Sequence, residues 1–312
     1  MLSVSDAPLF TVFTPTYNRA HTLHRVYDSL RAQTLRDFEW LVVDDDSTDD
    51  TSGLIAQWIK AADFPIRYFS QAHSGKHFAH NLAVREARGK MFTPLDSDDA
   101  CPPNTLKRMM HWWNMIPPDQ RESFCGVTGI SNDQYGNLVG RGFPSQPLDA
   151  TMRELRYVHH VWGEKGICWL THILRGYPFP EVARGEYLPE GIVWLDVAKR
   201  FKTRAVNEVF RIYYMDDAET GASISKRASL KSHALGRWYF YIWFLNNDLG
   251  YFFNSPIPFI KAAILLPALS WISNRSSRAA LSSLQSWSAR ALVCMALPFS
   301  SMLYAAHKIR RR

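Results

Sequence analysis

Short apolar runs alternate with polar turns, two of them carboxylate-rich, through the first third of the chain, and each turn opens a segment with helical spacing of its apolar positions. Leu9-Phe10-Thr11-Val12-Phe13-Thr14 reads as a strand that breaks at Pro15-Thr16-Tyr17-Asn18-Arg19 and gives way to an amphipathic helix reaching about Gln33. Phe38-Glu39-Trp40-Leu41-Val42-Val43 repeats the pattern, ending in Asp44-Asp45-Asp46-Ser47-Thr48-Asp49-Asp50-Thr51 ahead of a helix around Ser52 to Ile59. A third strand, Ile66-Arg67-Tyr68-Phe69, leads through His73-Ser74-Gly75-Lys76-His77 into a helix carrying His80, Asn81 and Arg85. The fourth, Met91-Phe92-Thr93-Pro94-Leu95, delivers Asp96-Ser97-Asp98-Asp99. Successive strand-then-helix units predict an α/β fold with a mostly parallel sheet flanked by helices, its loops gathered along one edge. Ligands of such sheets bind outside the carboxyl ends of the strands, so the four polar clusters are expected to share one cleft.

Three carboxylates in Asp96-Ser97-Asp98-Asp99 repel one another unless a cation sits among them. A hard divalent ion held by oxygen ligands, Mg²⁺ or Mn²⁺ bridging a diphosphate, is the usual compensation. The plainer alternative is a solvated turn capping a helix that begins near Pro102.

In order along the chain, Pro15-Thr16-Tyr17-Asn18-Arg19, Val42-Val43-Asp44-Asp45-Asp46-Ser47-Thr48-Asp49-Asp50-Thr51, Gly75 with Ala79-His80-Asn81, and Leu95-Asp96-Ser97-Asp98-Asp99 resemble the signatures of inverting family 2 glycosyltransferases with the GT-A fold. The resemblance covers about residues 8 to 215 and departs at Asp46, where the family more often has Gly or Asn. It implies that Thr16, Tyr17 and Asn18 shape a nucleotide pocket and that Asp45 accepts a hydrogen bond from the base, most simply uracil N3–H. It further implies that Asp98 and Asp99 contact the metal, with Asp98 also touching the nucleotide-sugar, and that Asp96 assists or holds the ribose. Asn81 belongs to the same nucleotide-sugar set. Lys76, at a helix start where backbone N–H groups favour anions, could neutralise a diphosphate or could simply be solvated.

An inverting sugar transfer needs a base for the acceptor hydroxyl. Tyr177-Pro178-Phe179-Pro180-Glu181 and Gly185-Glu186-Tyr187-Leu188-Pro189-Glu190-Gly191 look like the family's acceptor side, where an acid pair opens a helix; here the pair is reduced to Glu190-Gly191. Pro189 places Glu190 in a first helical turn, with Trp194 and Val197 on the same face, and an apolar face raises a carboxylate's pKa toward that of a base. The alternative is a plain interaction with the helix dipole. Asp196 and Glu186 are the reserve bases, and Glu164 is a possible acceptor contact.

The chain has 312 residues, enough for a core of about two hundred with a module appended. Cys101, Cys125, Cys168 and Cys294 show neither disulfide framework nor zinc spacing, and the amino terminus lacks a signal pattern, so a cytoplasm-facing protein is expected. After residue 219, twelve Lys and Arg face the single acid Asp248, which leaves −4 on the first 219 residues of a chain whose net charge is +7 and pI about 9.2. This basic excess is interleaved with Trp238 to Leu245, Tyr251 to Phe253, Ile264 to Leu266 and Trp271-Ile272. Residues 1–219 are therefore expected to form the GT-A domain and 220–312 a helical membrane-associating module. The longest uncharged run, Ala291 to His307, contains Pro298 and barely reaches spanning length, so attachment to the cytoplasmic face of the membrane is preferred, with a soluble cytoplasmic protein as second choice. Nucleic acid is not expected as a partner, since no recognised motif for it is present.

These readings give a metal-dependent transfer of sugar from a nucleotide-sugar, a UDP-sugar by preference, to a glycan or lipid-linked acceptor of the cell envelope. Two other classes stay open. A nucleotidyltransferase would normally carry a Gly-rich loop after the first strand, where Pro15-Thr16-Tyr17-Asn18-Arg19 has no glycine. A silent sugar-nucleotide-binding scaffold is kept open by the reduced Glu190-Gly191 pair.

Overall fold

The computed structural model describes residues 7–215, 231 and 233–309. It divides into two compact units, one comprising Met1–Phe179 and Val193–Asp216, the other Pro180–Ile192 and Asp217–Arg312. The expected boundary between 219 and 220 lies outside the described residues.

The first unit is built on one eight-stranded sheet: β1 (Phe10–Thr16), β2 (Phe38–Asp44), β3 (Ile66–Ser70), β4 (Met91–Pro94), β5 (Phe124–Asp133), β6 (Leu148–Ala150), β7 (Lys165–Leu170) and β8 (Lys202–Tyr213), in the order β3-β2-β1-β4-β7-β5-β8-β6. The β3-β2-β1-β4 half is parallel throughout, with Thr16 opposite Asp44 and Phe13 opposite Pro94. Between its strands run α1 (His24–Arg31), α2 (Thr51–Ala61) and α3 (Lys76–Glu86), with α4 (Thr105–Asn114) after β4. The other half is mixed: β7 runs antiparallel to β4 and β5, β8 parallel to β5, and β6 antiparallel to β8. The expectation of a mostly parallel sheet thus describes the amino-terminal half.

Every residue of β1 and β2 is buried, which is why both read as mainly apolar runs, and the polar Thr11 and Glu39 inside them satisfy each other, Thr11 Oγ1 donating to Glu39 Oε1 at 2.7 Å. Edge strand β3 is only partly buried along its length. The helices cover the sheet through narrow faces, α1 burying Val26, Tyr27 and Leu30. Phe13 is fully buried and stacks on Phe92 with centroids 5.5 Å apart, so Phe13→Ala would cost about 3–5 kcal/mol at the centre of the sheet. From β1 the chain winds outward to β2 and β3, then returns to place β4 on the other side of β1. The reversal between β1 and β4 opens a crevice at their carboxyl ends.

The second unit is helical: α8 (Ala234–Asn247), α9 (Pro256–Ile272), α10 (Ser277–Ser282) and α11 (Trp287–Ile309). Phe244 stacks on Phe259 at 4.7 Å, and the Trp238 indole N–H donates to Ser270 Oγ at 2.8 Å. Small residues of α11, Ala289, Val293, Ala296 and Ser300, are buried, and Ser300 Oγ donates to the Ile264 carbonyl at 2.7 Å. On α11, Met295, Phe299 and Met302 are exposed. By length and composition α11 is the one helix among the described residues long and apolar enough to cross a membrane.

Candidate active site

The crevice between β1 and β4 gathers the polar clusters of the first unit. Thr16 ends β1 with its hydroxyl oxygen buried and without a hydrogen-bond partner. Tyr17 follows, 44% exposed, with its ring 4.4 Å from that of His73. Asn18, left-handed at φ 53°, turns its side-chain carbonyl onto the second acidic turn, accepting from Thr48 N at 2.7 Å and Asp49 N at 3.2 Å, while its own N–H donates to Ser47 Oγ. Asn18 therefore locks the two loops together.

Asp45, buried at the end of β2, accepts from Gln71 Nε2 at 2.7 Å, Ser74 N at 2.8 Å and Gly75 N at 2.8 Å, and pairs with His73 Nδ1 at 3.0 Å. These four contacts match the four acceptor directions of a carboxylate. Asp45 thus pins the loop that feeds α3. Reading a base with it requires one contact to give way, and the half-exposed His73 is the side chain with room to leave. Asp46, next in line, is left-handed at φ 74°, a conformation that suits the Gly or Asn usual in the resembling family.

At the end of β4, Asp96 pairs with Lys76 Nζ at 2.6 Å and with Arg211. Burial alone would raise the Asp96 carboxyl, but the Lys76 and Arg211 charges outweigh it and hold it well below the ordinary carboxylate range. Asp99, 1% exposed, binds Arg211 through Nε and Nη2 and accepts from Tyr214 N at 3.2 Å. Burial pushes its carboxyl up to about 7; Arg211 pulls against this, and the charges of Asp96 and Asp98 add to it. Asp98 has a side chain 30% exposed, 3.4 Å from Arg19 Nη1, and its carbonyl accepts from Arg25 Nη1 at 3.1 Å.

The three carboxylates thus meet three cations of the chain, Arg19, Lys76 and Arg211. This bears on the expected metal. Asp98 is accessible and fits one oxygen ligand of Mg²⁺ or Mn²⁺, an ion that commonly takes one or two carboxylates and completes its shell from phosphates and water. Asp99 does not fit: both its oxygens are spent within the chain, against Arg211 and Tyr214 N, so the expected carboxylate pair reduces to Asp98. Among the described residues no three His, Cys, Asp or Glu side chains are grouped as an all-protein cage.

Asn81, expected at the nucleotide-sugar, is buried in α3 and grips the Phe179 backbone in both directions, donating at 2.9 Å and accepting at 2.8 Å. Its place is behind the site, positioning the chain near Phe179. His80 beside it lies edge-on to Phe13, Phe92, Phe179 and Trp194, and neither ring nitrogen has a hydrogen-bond partner. Burial, reinforced by the Lys76 charge, drives its pKa down to about 3.

Glu190 immediately precedes α7 (Gly191–Val197) rather than lying in its first turn, and it belongs to the second unit. The reserve base Glu186 serves as a helix cap in that unit, accepting from Leu235 N at 2.8 Å and Gly236 N at 3.0 Å. The other reserve, Asp196, is paired with Lys199 at 2.6 Å. Sequence reasoning assigned no role to Arg19, His73 or Arg211. Three clustered acids announce that cations must be near, but nothing in the pattern gives the address of Arg211, more than a hundred residues downstream.

This architecture, a parallel half with an acid–cation cluster at the β1/β4 reversal and a mixed half beyond it, is the GT-A fold. Staphylococcus aureus TarS 1-349 in complex with UDP-GlcNAc shares it at a TM-score of 0.56, with 20% identity over 93% of this chain and 80% of that one. Residues 11–137 match the family described as Glycosyl transferase family 2. The chondroitin synthase of Escherichia coli is 32% identical over 45% of this chain and 20% of its own length. The GalNAc(5)-diNAcBac-PP-undecaprenol beta-1,3-glucosyltransferase of Campylobacter jejuni is 27% identical over 69% of each. Alignment with the first four curated relatives spans under a third of their own length.

Proposed function

We propose that this chain transfers a sugar, with inversion, from a nucleotide-sugar donor to a hydroxyl of a glycan or lipid-linked acceptor in cell-envelope polysaccharide synthesis, using a UDP-sugar. The observation that carries the reading is the accessible Asp98 carboxylate beside Arg19, with Lys76 and Arg211 on the neighbouring Asp96, at the β1/β4 reversal, a site suited to a diphosphate. The half-exposed Tyr17 and His73 rings beside Asp45 offer a stacking surface and an acceptor for a base once His73 moves. The buried Thr16 hydroxyl has capacity to bond a ligand.

Asp98 would hold Mg²⁺ or Mn²⁺, which supplies charge neutralisation for the departing diphosphate. The rest falls to the chain. Arg19 and Lys76 bind and orient the phosphates, and Arg211 holds Asp96 and Asp99 in place beside them. Glu190 takes the proton of the acceptor hydroxyl as its oxygen attacks the anomeric carbon, and the bond from that carbon to the diphosphate breaks with its electron pair leaving on phosphate. The exposed apolar stripe of α11 and the basic carboxyl-terminal third support attachment to the cytoplasmic face of the membrane, close to a lipid-linked acceptor. The named activity of the Campylobacter relative on an undecaprenol-linked glycan supports the same acceptor class.

Calorimetric titration of UDP-, dTDP- and GDP-sugars with and without Mn²⁺, on the detergent-purified protein and Asp98→Ala, tests the donor side. Tight binding of one UDP-sugar that needs both Mn²⁺ and Asp98 is expected, and no binding of any of them refutes the reading. Glu190→Gln should retain donor binding and lose turnover.

A further inference from the structure

The loop between α5 (Met152–Tyr157) and β7 has no part in donor binding as described, yet it is firmly held. The Trp162 carbonyl accepts from Arg141 N at 2.9 Å. Gly140 and Gly163, left-handed at φ 91° and 88°, meet so closely that a Cβ on Gly163 would lie 2.5 Å from the Gly140 Cα. Lys165 Nζ gathers the carbonyls of Trp162, Gly163 and Glu164 at 2.9, 3.3 and 3.1 Å. On this clasped backbone the Trp162 side chain is left 66% exposed. An indole in water contributes little to folding, so a rigid loop that presents one calls for another explanation.

Position supplies it. Two residues after Trp162, Glu164 Oε2 lies 3.7 Å from Nη1 of Arg211, the guanidinium that binds Asp96 and Asp99. Lys165 opens β7 opposite Ile130, toward the carboxyl end of β5 and hence on the edge that carries the acid cluster. Along that edge the Tyr17–His73–Asp45 group stands at β1 and β2, the acid–cation cluster at β4, and the Trp162 loop at β7 and β5. The loop is therefore on the opposite side of the phosphate-binding cations from the Tyr17–His73–Asp45 group.

We propose that Trp162 and Glu164 form a saccharide subsite for the acceptor glycan, the indole stacking on the C–H face of a pyranose ring and the Glu164 carboxylate accepting hydrogen bonds from its hydroxyls. A pyranose has an apolar face and a polar rim, and an exposed aromatic face with a carboxylate beside it matches both. Arg211 positions Glu164 while it pairs with Asp96 and Asp99, so one guanidinium links the acceptor subsite to the donor cluster. This inference rests on the glycosyltransferase reading above, from which it takes the acceptor as occupant.

Saturation-transfer NMR with the methyl β-glycosides of glucose, galactose, GlcNAc and GalNAc, on protein saturated with UDP, tests it in the wild type, Trp162→Ala, Trp162→Phe and Glu164→Gln. At least one glycoside should bind saturably, about tenfold more weakly in Trp162→Ala and within about threefold of wild type in Trp162→Phe, with Glu164→Gln between them. Absence of glycoside binding to the wild type, or equal binding by Trp162→Ala, overturns the proposal. So does a Trp162→Ala variant that loses affinity for a UDP-sugar relative to UDP, which would put the indole under the donor sugar instead. Calorimetry of UDP alone separates the two readings: a wild type that fails to bind UDP removes the donor reading, and the same glycoside series without nucleotide still decides the subsite.

Discussion

Acid should remove stability from the amino-terminal unit through His80. Its ring lies edge-on to Phe13, Phe92, Phe179 and Trp194 with centroids 4.9 to 5.8 Å away, and the nearby charge acting on it is Lys76, one turn earlier on α3. Burial and that charge hold its pKa near 3, against 6.5 for the free side chain. Below pH 6.5 the unfolded chain takes up a proton that the folded chain refuses until about pH 3. The unfolded state then binds more protons, so this contribution is fully present above pH 6.5 and is lost as pH falls. Its slope approaches 1.4 kcal/mol per pH unit, and integration from pH 8 to pH 5 gives a loss of about 2 kcal/mol. Carboxylates titrate over part of the same range, so the informative quantity is the difference between wild type and His80→Leu. Leucine nearly conserves volume, and no hydrogen bond is lost because neither ring nitrogen makes one. Urea unfolding followed by tryptophan fluorescence at pH 8 and pH 5 should find the variant at least as stable as wild type at pH 8 and spared about 2 kcal/mol of its acid loss. Equal acid losses in the two proteins would refute the reasoning.

Further expectations follow from the same geometry. Arg211→Met leaves Asp99 buried beside Asp96 without its cation and should cost about 3–5 kcal/mol in urea unfolding, most of it recovered when Asp99→Leu is added. Asn18→Ala removes the acceptor shared by Thr48 N, Thr48 Oγ1 and Asp49 N; a loss of about 1–3 kcal/mol is expected in chemical denaturation, together with weaker UDP binding by calorimetry. Asp46→Gly relieves a left-handed residue at φ 74° and should raise the urea midpoint by an amount equivalent to about 0.5–1 kcal/mol.

The amino-terminal half was legible because its evidence is local. All four expected strands are present with ends shifted by one or two residues, and the helices of Ser52 to Ile59 and of the Lys76 turn lie where spacing predicted them. Buried central strands must be largely apolar, and the turns that follow them must be polar. Both demands are met residue by residue along the chain, so they can be read without knowing what packs where. The same locality explains why the acid cluster at Asp96, Asp98 and Asp99 could be singled out and its need for cations inferred.

Which groups satisfy those needs was decided only by the tertiary structure. Arg211 reaches Asp96 and Asp99 because β8 pairs with β5, β5 with β7 and β7 with β4, a strand order that no spacing encodes. That arrival removes Asp99 from the expected metal pair. Asp45 is likewise filled by the Gln71–Gly75 loop, and Asn81 is turned to the Phe179 backbone, since a buried polar group must take the partners that folding brings to it. By itself the sequence determined the strands and helices of the amino-terminal half, their parallel arrangement and the chemical types at one edge of the sheet, because those follow from period and local polarity. The tertiary structure decided which of those side chains remain open to a ligand, because that depends on contacts between residues far apart in the chain.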